Sequence, residues 1–381
     1  MAAKPRFDGE WVRLDQLCVK GRSALRQKDL TDDGPYAVYG ASGIVGSMGT
    51  FQNGTRYVAV VKDGAGVGRA SLCPANTSVL GTMQALIPTE QVLPEYLLHL
   101  VRAMRLGGGF TGSTIPHIYF KDYGQRLVRC VSLVEQGRIV GTLGSIEDQM
   151  GLLRGQVTKL DALVKSRFVE MFRDPVSNEM GWPASTIKET AIIYGDGPFG
   201  SNLKSSDYVD EGVRVIRLGN IQQGYFSEKD QSFVSYEKYE QLNRYKCSPG
   251  EIVIATLGSP ILRACLVPDS CDPSIHKADC MYYEVDRDRL VPTFAMCVIN
   301  HPSMLRRAAA DVHGQTRGRI NSTQTGALPM ILPPLALQQE FASFVAEVDK
   351  SRFVARRIRE TLGEYNEMTM EHVTCVKGDS L

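Results

Sequence analysis

The chain has 381 residues, of which 43% are hydrophobic, 8% aromatic and 22% charged, enough apolar material for two or three cores and too much for a disordered chain. Its 43 Lys and Arg stand against 42 Asp and Glu, a formal charge of +1, so no global field recruits nucleic acid or an anionic membrane, and a polyanion must meet a local patch. No run approaches the about eighteen uninterrupted apolar residues of a membrane span, MAAKPRFDGEWVRL lacks the apolar centre of a signal peptide, and nine irregularly spaced cysteines form no C-x-x-C pair; the expectation is a cytoplasmic protein with reduced thiols and no membrane partner.

Taken in chain order, EWVRLDQLC at 10–18 opens a first half in which YVAVV at 57–61 reads as a buried strand. KDGAGVGRA at 62–70 follows it. Its glycines are spaced G-x-G-x-G, but no helix with an acidic ribose ligand comes after, so it reads as a tight turn presenting Lys62 and Arg69. PEYLLHLVRAM at 94–104 has a helical pattern, and TGSTIPHI at 111–118 is polar and nearly uncharged. Ser132-x-x-Glu135 then caps a long helix whose apolar residues, from Ile139, Leu143 and Ile146 through Leu153, Leu160 and Phe168 to Met171, step by four and three as a coiled-coil seam. Asp174-Pro175 stops it. Five glycines, 137, 141, 144, 151 and 155, cost about 1 kcal/mol each in a helix interior. They predict a helix held by packing, with room for close approach of a partner helix or another subunit.

A second half opens with GWPASTIKET at 181–190. RVIRLGNI at 214–221 and EIVIAT at 251–256 read as strands, and 292–310 as helical. Cys265, Cys271, His276 and Cys280 match none of the usual zinc spacings and read as thiols without metal. HGQTRGRIN at 313–321 precedes a second long helix after Pro333-Pro334, with Phe341, Phe344, Val348, Ala355, Ile358, Leu362 and Tyr365 as its stripe and Ser351 at one seam position. Each rod is expected to run about 35–40 residues, roughly 50–60 Å. KSRFVARRIR at 350–359 is either a solvated helix face or a surface for phosphates or a partner.

The halves superpose at an offset of 202 residues, with Arg105 on Arg307, Gly112 on Gly314, Thr114 on Thr316, Ile118 on Ile320, Leu133 on Leu335 and Gln136 on Gln338. Those six identities compare with roughly two expected by composition. The two tryptophans, Trp11 and Trp182, are offset by 171, so the second half holds about thirty extra residues in its middle. The tetrapeptide SRFV at 166–169 and 351–354 is not part of this repeat, because its copies fall at different depths in the rods.

No catalytic constellation has convincing spacing: there is no G-x-x-x-x-G-K-[ST] and no G-x-S-x-G, and LPPL at 332–335 offers no amide to a target amine. The absences point to a binding protein rather than an enzyme. Residue types suited to DNA are Lys62, Arg69, Thr114 and His117 in the first half. In the second they are Asn220, Gln222, Thr256, Ser259 and Arg263, then Gln315, Arg317, Arg319 and Asn321. Arginine reads guanine and Asn or Gln reads adenine bidentately, while glycine permits close backbone approach.

Module, long helix, module, long helix, with WVRLDQLC and GWPASTIKE opening the halves, resembles the specificity subunit of type I restriction–modification enzymes over almost the whole chain. PYAVYGASGIVGSMGTF at 35–51 and VRVIRLGNIQQGYF at 213–226 resemble the openings of target-recognition domains. VSLVEQGRIVGTLGSIEDQM at 131–150, LVKSRFVEMF at 163–172 and LPPLALQQEFASFV at 332–345 resemble the family's helical regions. The resemblance implies an α+β fold: two target-recognition domains of mixed α/β structure (1–130 and 176–331), separated by two long antiparallel coiled-coil helices (131–175 and 332–373), in a pseudo-two-fold internal repeat with a tail at 374–381. It further implies a non-catalytic chain whose domains each read half of a split, asymmetric double-stranded DNA sequence, with helix length setting the number of unread base pairs. Two methyltransferase subunits would dock on the helices, and two endonuclease/translocase subunits would join the full complex. No cofactor is expected in this chain; S-adenosylmethionine, ATP and Mg belong to the partners. The alternative is a scaffold that holds methyltransferase subunits without reading DNA.

Overall fold

The computed structural model describes residues 9–31, 33–108, 116–310 and 318–374, and the chain packs as two units. The first comprises Met1–Gly155 with Ala355–Leu381 and the second Gln156–Val354.

The first unit runs β1 (Glu10–Arg13), the single turn α1 (Leu14–Leu17), β2 (Cys18–Lys20), β3 (Tyr36–Gly40), β4 (Gly43–Met48), β5 (Tyr57–Val61), β6 (Ala70–Cys73), β7 (Ser78–Val79) and β8 (Met83–Pro88). It continues with α2 (Pro94–Ala103), the turn α3 (Phe120–Tyr123), β9 (Leu127–Cys130) and the start of α4 (Leu133–Phe172). Among the described residues β2-β8-β5-β6 form one sheet, β4-β3-β7 a second and β1-β9 a pair. Every residue of β5 is buried, as a β-branched run in a central strand should be. Its side chains alternate: Val58 and Val60 join Tyr96, Leu97 and Leu100 of α2, while Tyr57, Ala59 and Val61 enter a second core with Val79 and Met83.

The second unit continues with β10 (Ala184–Thr186), β11 (Ala191–Asp196), β12 (Tyr208–Val209), β13 (Val213–Ile216), β14 (Ile221–Gln222), β15 (Tyr225–Phe226), β16 (Phe233–Val234), α5 (Tyr236–Gln241) and β17 (Lys246–Cys247). Then come β18 (Ile252–Ala255), β19 (Arg263–Leu266), β20 (Ser274–His276), β21 (Cys280–Val285), α6 (Pro292–Ile299), α7 (Pro302–Ala310), α8 (Ser322–Gly326), β22 (Pro329–Ile331) and α9 (Leu335–Thr374). Its main sheet, β11-β21-β18-β19, has the strand order of β2-β8-β5-β6, and β10-β22 repeats β1-β9. The registers agree as well: Val60 faces Ala70 where Ile254 faces Ala264. The parallel pair β3-β7 recurs as β13-β20. Much of the extra length of this half lies between β13 and β18, where β14-β15, α5 and β17 are added around β16, which pairs with β13 as β4 pairs with β3.

Gln136 and Gln338 are fully buried and make the same set of bonds. Gln136 Oε1 accepts from Leu93 N (2.8 Å) while Nε2 donates to the Gln91 and Val131 carbonyls. Gln338 Oε1 accepts from Val291 N (2.9 Å) while Nε2 donates to the Arg289 and Pro333 carbonyls. Each glutamine fastens the start of a long helix to the residue preceding α2 or α6, a buried polar cluster that is satisfied only as a set. Arg105 and Arg307 do not correspond in structure, since Arg105 sits in a left-handed turn (φ 44°) and Arg307 inside α7. The helical pattern predicted at 292–310 is two helices, because the Asn300 side chain bonds the backbone of Ala264 on both sides (3.0 and 2.8 Å) and Pro302 starts afresh.

Both long helices have 40 residues. Ser132 Oγ accepts from Glu135 N at the start of α4, and Arg173 in a left-handed conformation follows its end. In the second unit, Arg167 pairs with Glu340 and Arg352 with Asp161, both at 2.8 Å, so the helix halves run antiparallel. Phe168 and Phe172 of α4 meet Phe341 of α9 edge to face, and Phe294 of α6 joins the cluster, stacked on Phe168. In the first unit, Met370 packs on the core that holds Ile139 and Leu143, and Met150 lies beside Gly363, again antiparallel.

The seam of α4 follows its predicted stripe, with Ile139, Leu143, Ile146, Val164 and Phe168 buried and Leu153 and Leu160 half-buried. That of α9 follows its stripe in part. Phe341, Val348 and Ala355 are buried as predicted and Val345 and Arg352 join them, while Phe344 and Leu362 are half-buried and Ser351, Ile358 and Tyr365 are exposed. Arg352 takes the place predicted for Ser351, its guanidinium held by Asp161, Asp349 and the Leu160 carbonyl; a charged seam residue is invisible to a hydrophobic pattern. The SRFV copies part accordingly, Phe168 being 2% and Phe353 65% exposed. Among the described residues no helix is long and apolar enough to cross a membrane.

Candidate nucleic-acid interface

The sharpest local repeat is the loop after the central strand of each main sheet. In the first unit it spans residues 62–69 and in the second 256–263. Gly68 N donates to Val61 O (2.8 Å) and Leu262 N to Ala255 O (3.0 Å). Positive φ recurs at Gly64 and Gly258 (95° and 119°) and at Gly68 and Leu262 (83° and 68°). A later segment returns beside each loop: Ile118 N donates to Lys62 O and Ile320 N to Thr256 O, both at 3.0 Å. Arg69 and Arg263 therefore occupy equivalent places, as do Lys62 and Thr256, and His117 and Arg319. Each arginine reaches back over its loop to the carbonyl three residues earlier, Arg69 Nε to Gly66 (3.4 Å) and Arg263 Nη1 to Pro260 (3.0 Å).

In the first unit the loop carries Lys62, half-exposed, and Arg69, exposed. His117 Nδ1 lies 2.7 Å from Asp63 Oδ1, which holds the imidazole at the loop's edge. In the second unit the loop borders a cleft of about 590 Å³, lined by Leu218, Gly219, Gln222, Leu257, Gly258, Ser259, Arg263 and Gly318. Gln222, Ser259 and Arg263, far apart in sequence, meet there. The β14-β15 hairpin forms its other wall, fixed by Gly224 N to Ala264 O (2.9 Å) and Arg263 Nε to Ile221 O (3.1 Å).

Other predicted DNA contacts are engaged by the protein itself, and two of them, Asn220 and Thr256, face inward. Asn220 is fully buried, its amide spent on Arg217 N and the Ser227 and Asp230 carbonyls. Thr256 is 1% exposed and donates to Asp279 O. Asn321 is exposed but serves as the N-cap of α8, its Oδ1 accepting from Gln324 N and its own N–H donating to Gln324 Oε1; the sequence N-S-T-Q carried this capping signal. Arg319 is exposed, paired with Asp279 at 2.9 Å and stacked over Phe199. Thr114, Gln315 and Arg317 lie outside the described residues.

The thiols predicted without metal sit in apolar surroundings. Cys247, Cys265, Cys271 and Cys280 pack with Ile216, Val253 and Tyr282 in one core. Burial pushes Cys265 up to about 12 and Cys271 to about 11, so both stay protonated at neutral pH. Burial also lowers His276 to about 4, and its Nδ1 donates to Tyr245 O at 2.9 Å. Among the described residues no group of three or more His, Cys, Asp or Glu side chains could hold a metal ion.

The five α4 glycines lie on an open face: a Cβ at Gly137, Gly141, Gly144, Gly151 or Gly155 would meet nothing within 4 Å among the described residues. The packing of α9 therefore does not account for them. The cations of 350–359 divide between roles, with Arg352 buried in the seam and Lys350 and Arg357 paired on the surface with Glu347 and Glu360.

No family model matches the chain. Over 299 residues, 72% of this chain and 68% of the other, it is 20% identical to the specificity subunit of the type I restriction enzyme MjaVIII of Methanocaldococcus jannaschii. Across the full length of both chains its fold matches the crystal structure of a type I restriction–modification S subunit from M. genitalium, with a TM-score of 0.59 at 15% identity. The chain thus resembles type I restriction specificity subunits in sequence and has the two-module, two-helix S-subunit fold.

Proposed function

We propose that this chain is the cytoplasmic DNA-specificity subunit of a type I restriction–modification complex. Each unit reads one half of a bipartite, asymmetric double-stranded site, and the open faces of α4 and α9 carry two methyltransferase subunits, with endonuclease/translocase subunits joining the full assembly. The chain catalyses nothing and holds no cofactor; S-adenosylmethionine, ATP and Mg act on the partners. The observation that carries this reading is the duplicated loop of residues 62–69 and 256–263, with its positive φ values and its back-reaching arginine, on matching sheets. A duplicated scaffold with differently equipped loops suits a reader of two different half-sites. The near-neutral charge of +1 fits a chain that binds DNA weakly alone and tightly within an assembly, because phosphate contacts supply most nonspecific affinity.

Single-molecule methylation sequencing of cells with and without the gene tests the reading. A split adenine-methylation motif that vanishes on deletion is the expected result; an unchanged methylome overturns it.

A further inference from the structure

The cleft of the second unit has a wall that the first unit does not build. Hairpin β14-β15 belongs to the extra residues between β13 and β18, and Arg263 binds it to the loop by donating Nε to Ile221 and Nη1 to Pro260. One guanidinium thus holds both walls in register. Two of its five N–H groups are thereby spent on protein carbonyls, which fixes the guanidinium between the walls. Gly258 has a φ of 119°, a backbone conformation that favours glycine, and a Cβ there would make a tight 3.0 Å contact with that guanidinium.

The polar side chains Gln222 and Ser259 line the cleft beside it. Gln222 donates one N–H to Gly219 O (2.9 Å), leaving the second N–H and the amide oxygen. That donor and acceptor match N7 and N6 of adenine in the major groove, whereas guanine offers two acceptors and would leave the oxygen facing another oxygen. Gly219, Gly258 and Gly318 on the lining let a base pair approach the backbone closely.

We infer that this cleft reads base edges in the major groove for the second unit, with Gln222 contacting an adenine, Ser259 a neighbouring position, and Arg263 acting as a positioning residue. The inference rests on the DNA-specificity reading above. Its test is to map the methylation motif in cells carrying the whole complex with Gln222→Ala, Ser259→Ala or Arg263→Lys.

Gln222→Ala is expected to lower discrimination about tenfold at one A·T position in one half of the motif. Arg263→Lys, which replaces a fork by a point charge, is expected to blur the positions lost in Gln222→Ala and Ser259→Ala together while the other half stays sharp. The intact half serves as an internal control for folding and assembly. A motif unchanged in both Gln222→Ala and Ser259→Ala, or relaxation spread over both halves, overturns the cleft assignment. If deleting the gene leaves the methylome unchanged, the failure lies with the DNA-specificity reading instead.

Discussion

Loops 62–69 and 256–263 follow one backbone path and fill it with different chemistry. At the second of the two positions where φ is positive in both, the first unit has Gly68 and the second Leu262. A Cβ on Gly68 would come within 2.3 Å of Gly107 N, so neighbouring backbone occupies the space. In the second unit that space belongs to the leucine itself, which is fully buried, and its burial offsets the cost of a left-handed non-glycine residue. A shared loop geometry can therefore be kept by opposite means, and the side chains around it are free to diverge. The first unit keeps Lys62, Arg69 and the Asp63–His117 pair at the loop, while the second has a cleft with an added wall.

The largest expected effect breaks this comparison at its centre. Gly68→Ala should destabilise the first unit by about 3 kcal/mol through backbone collision and strain. Leu262→Ala should destabilise the second by roughly 3 kcal/mol for a different reason, the cavity left behind. Hydrogen exchange of the β5 and β18 amides reports each unit separately. A Gly68→Ala chain with unaltered β5 protection would show that the two loops are not built alike.

A second difference lies where the parallel strands pair. Tyr39 faces Val79 in the first unit and Ile216 faces His276 in the second. His276 is held near 4 by burial, below the roughly 6.5 of an unfolded histidine. Between those values the unfolded chain binds a proton that the folded chain does not, so stability falls as pH drops from about 6.5, by up to about 3 kcal/mol near pH 4. Substituting His276→Gln should flatten that part of the decline in urea titrations at pH 7, 5.5 and 4.5. Equal pH slopes for the two proteins would refute the assignment.

The features legible in the sequence were those that packing repeats along an element: the strand 57–61, the α4 seam, and the frame marked by Ile118/Ile320 and Gln136/Gln338. Polar roles were not legible. Asn220, Thr256 and Asn321 have the residue types of DNA readers, yet each spends its side chain on local backbone, and a polar loop residue has the same letter whichever way it faces. Arg352 misled in the opposite direction, since a cation in a basic run reads as surface until Asp161, from 191 positions away on the other helix, is brought beside it. Gln222, Ser259 and Arg263 are legible as residue types, but their meeting in one cleft is not, because it joins segments through backbone carbonyls that carry no sequence signal.

The smallest expected effect concerns the two halves of α4. All five of its glycines lie in the half that packs in the first unit, and residues 156–172 contain none. Since a Cβ at Gly141 or Gly144 would meet nothing within 4 Å among the described residues, Gly141→Ala with Gly144→Ala should stabilise the isolated chain by about 1 kcal/mol per site. Retaining residues that lower helix stability on an open face makes sense if a partner needs that surface flat. The double substitution should then raise the melting temperature of the chain alone while weakening its assembly with the methyltransferase subunit, measured by analytical ultracentrifugation of the mixed proteins. Greater stability with undiminished assembly would remove the glycines from the docking face and leave the exposed apolar side chains Leu152 and Val134 of the same half to account for it.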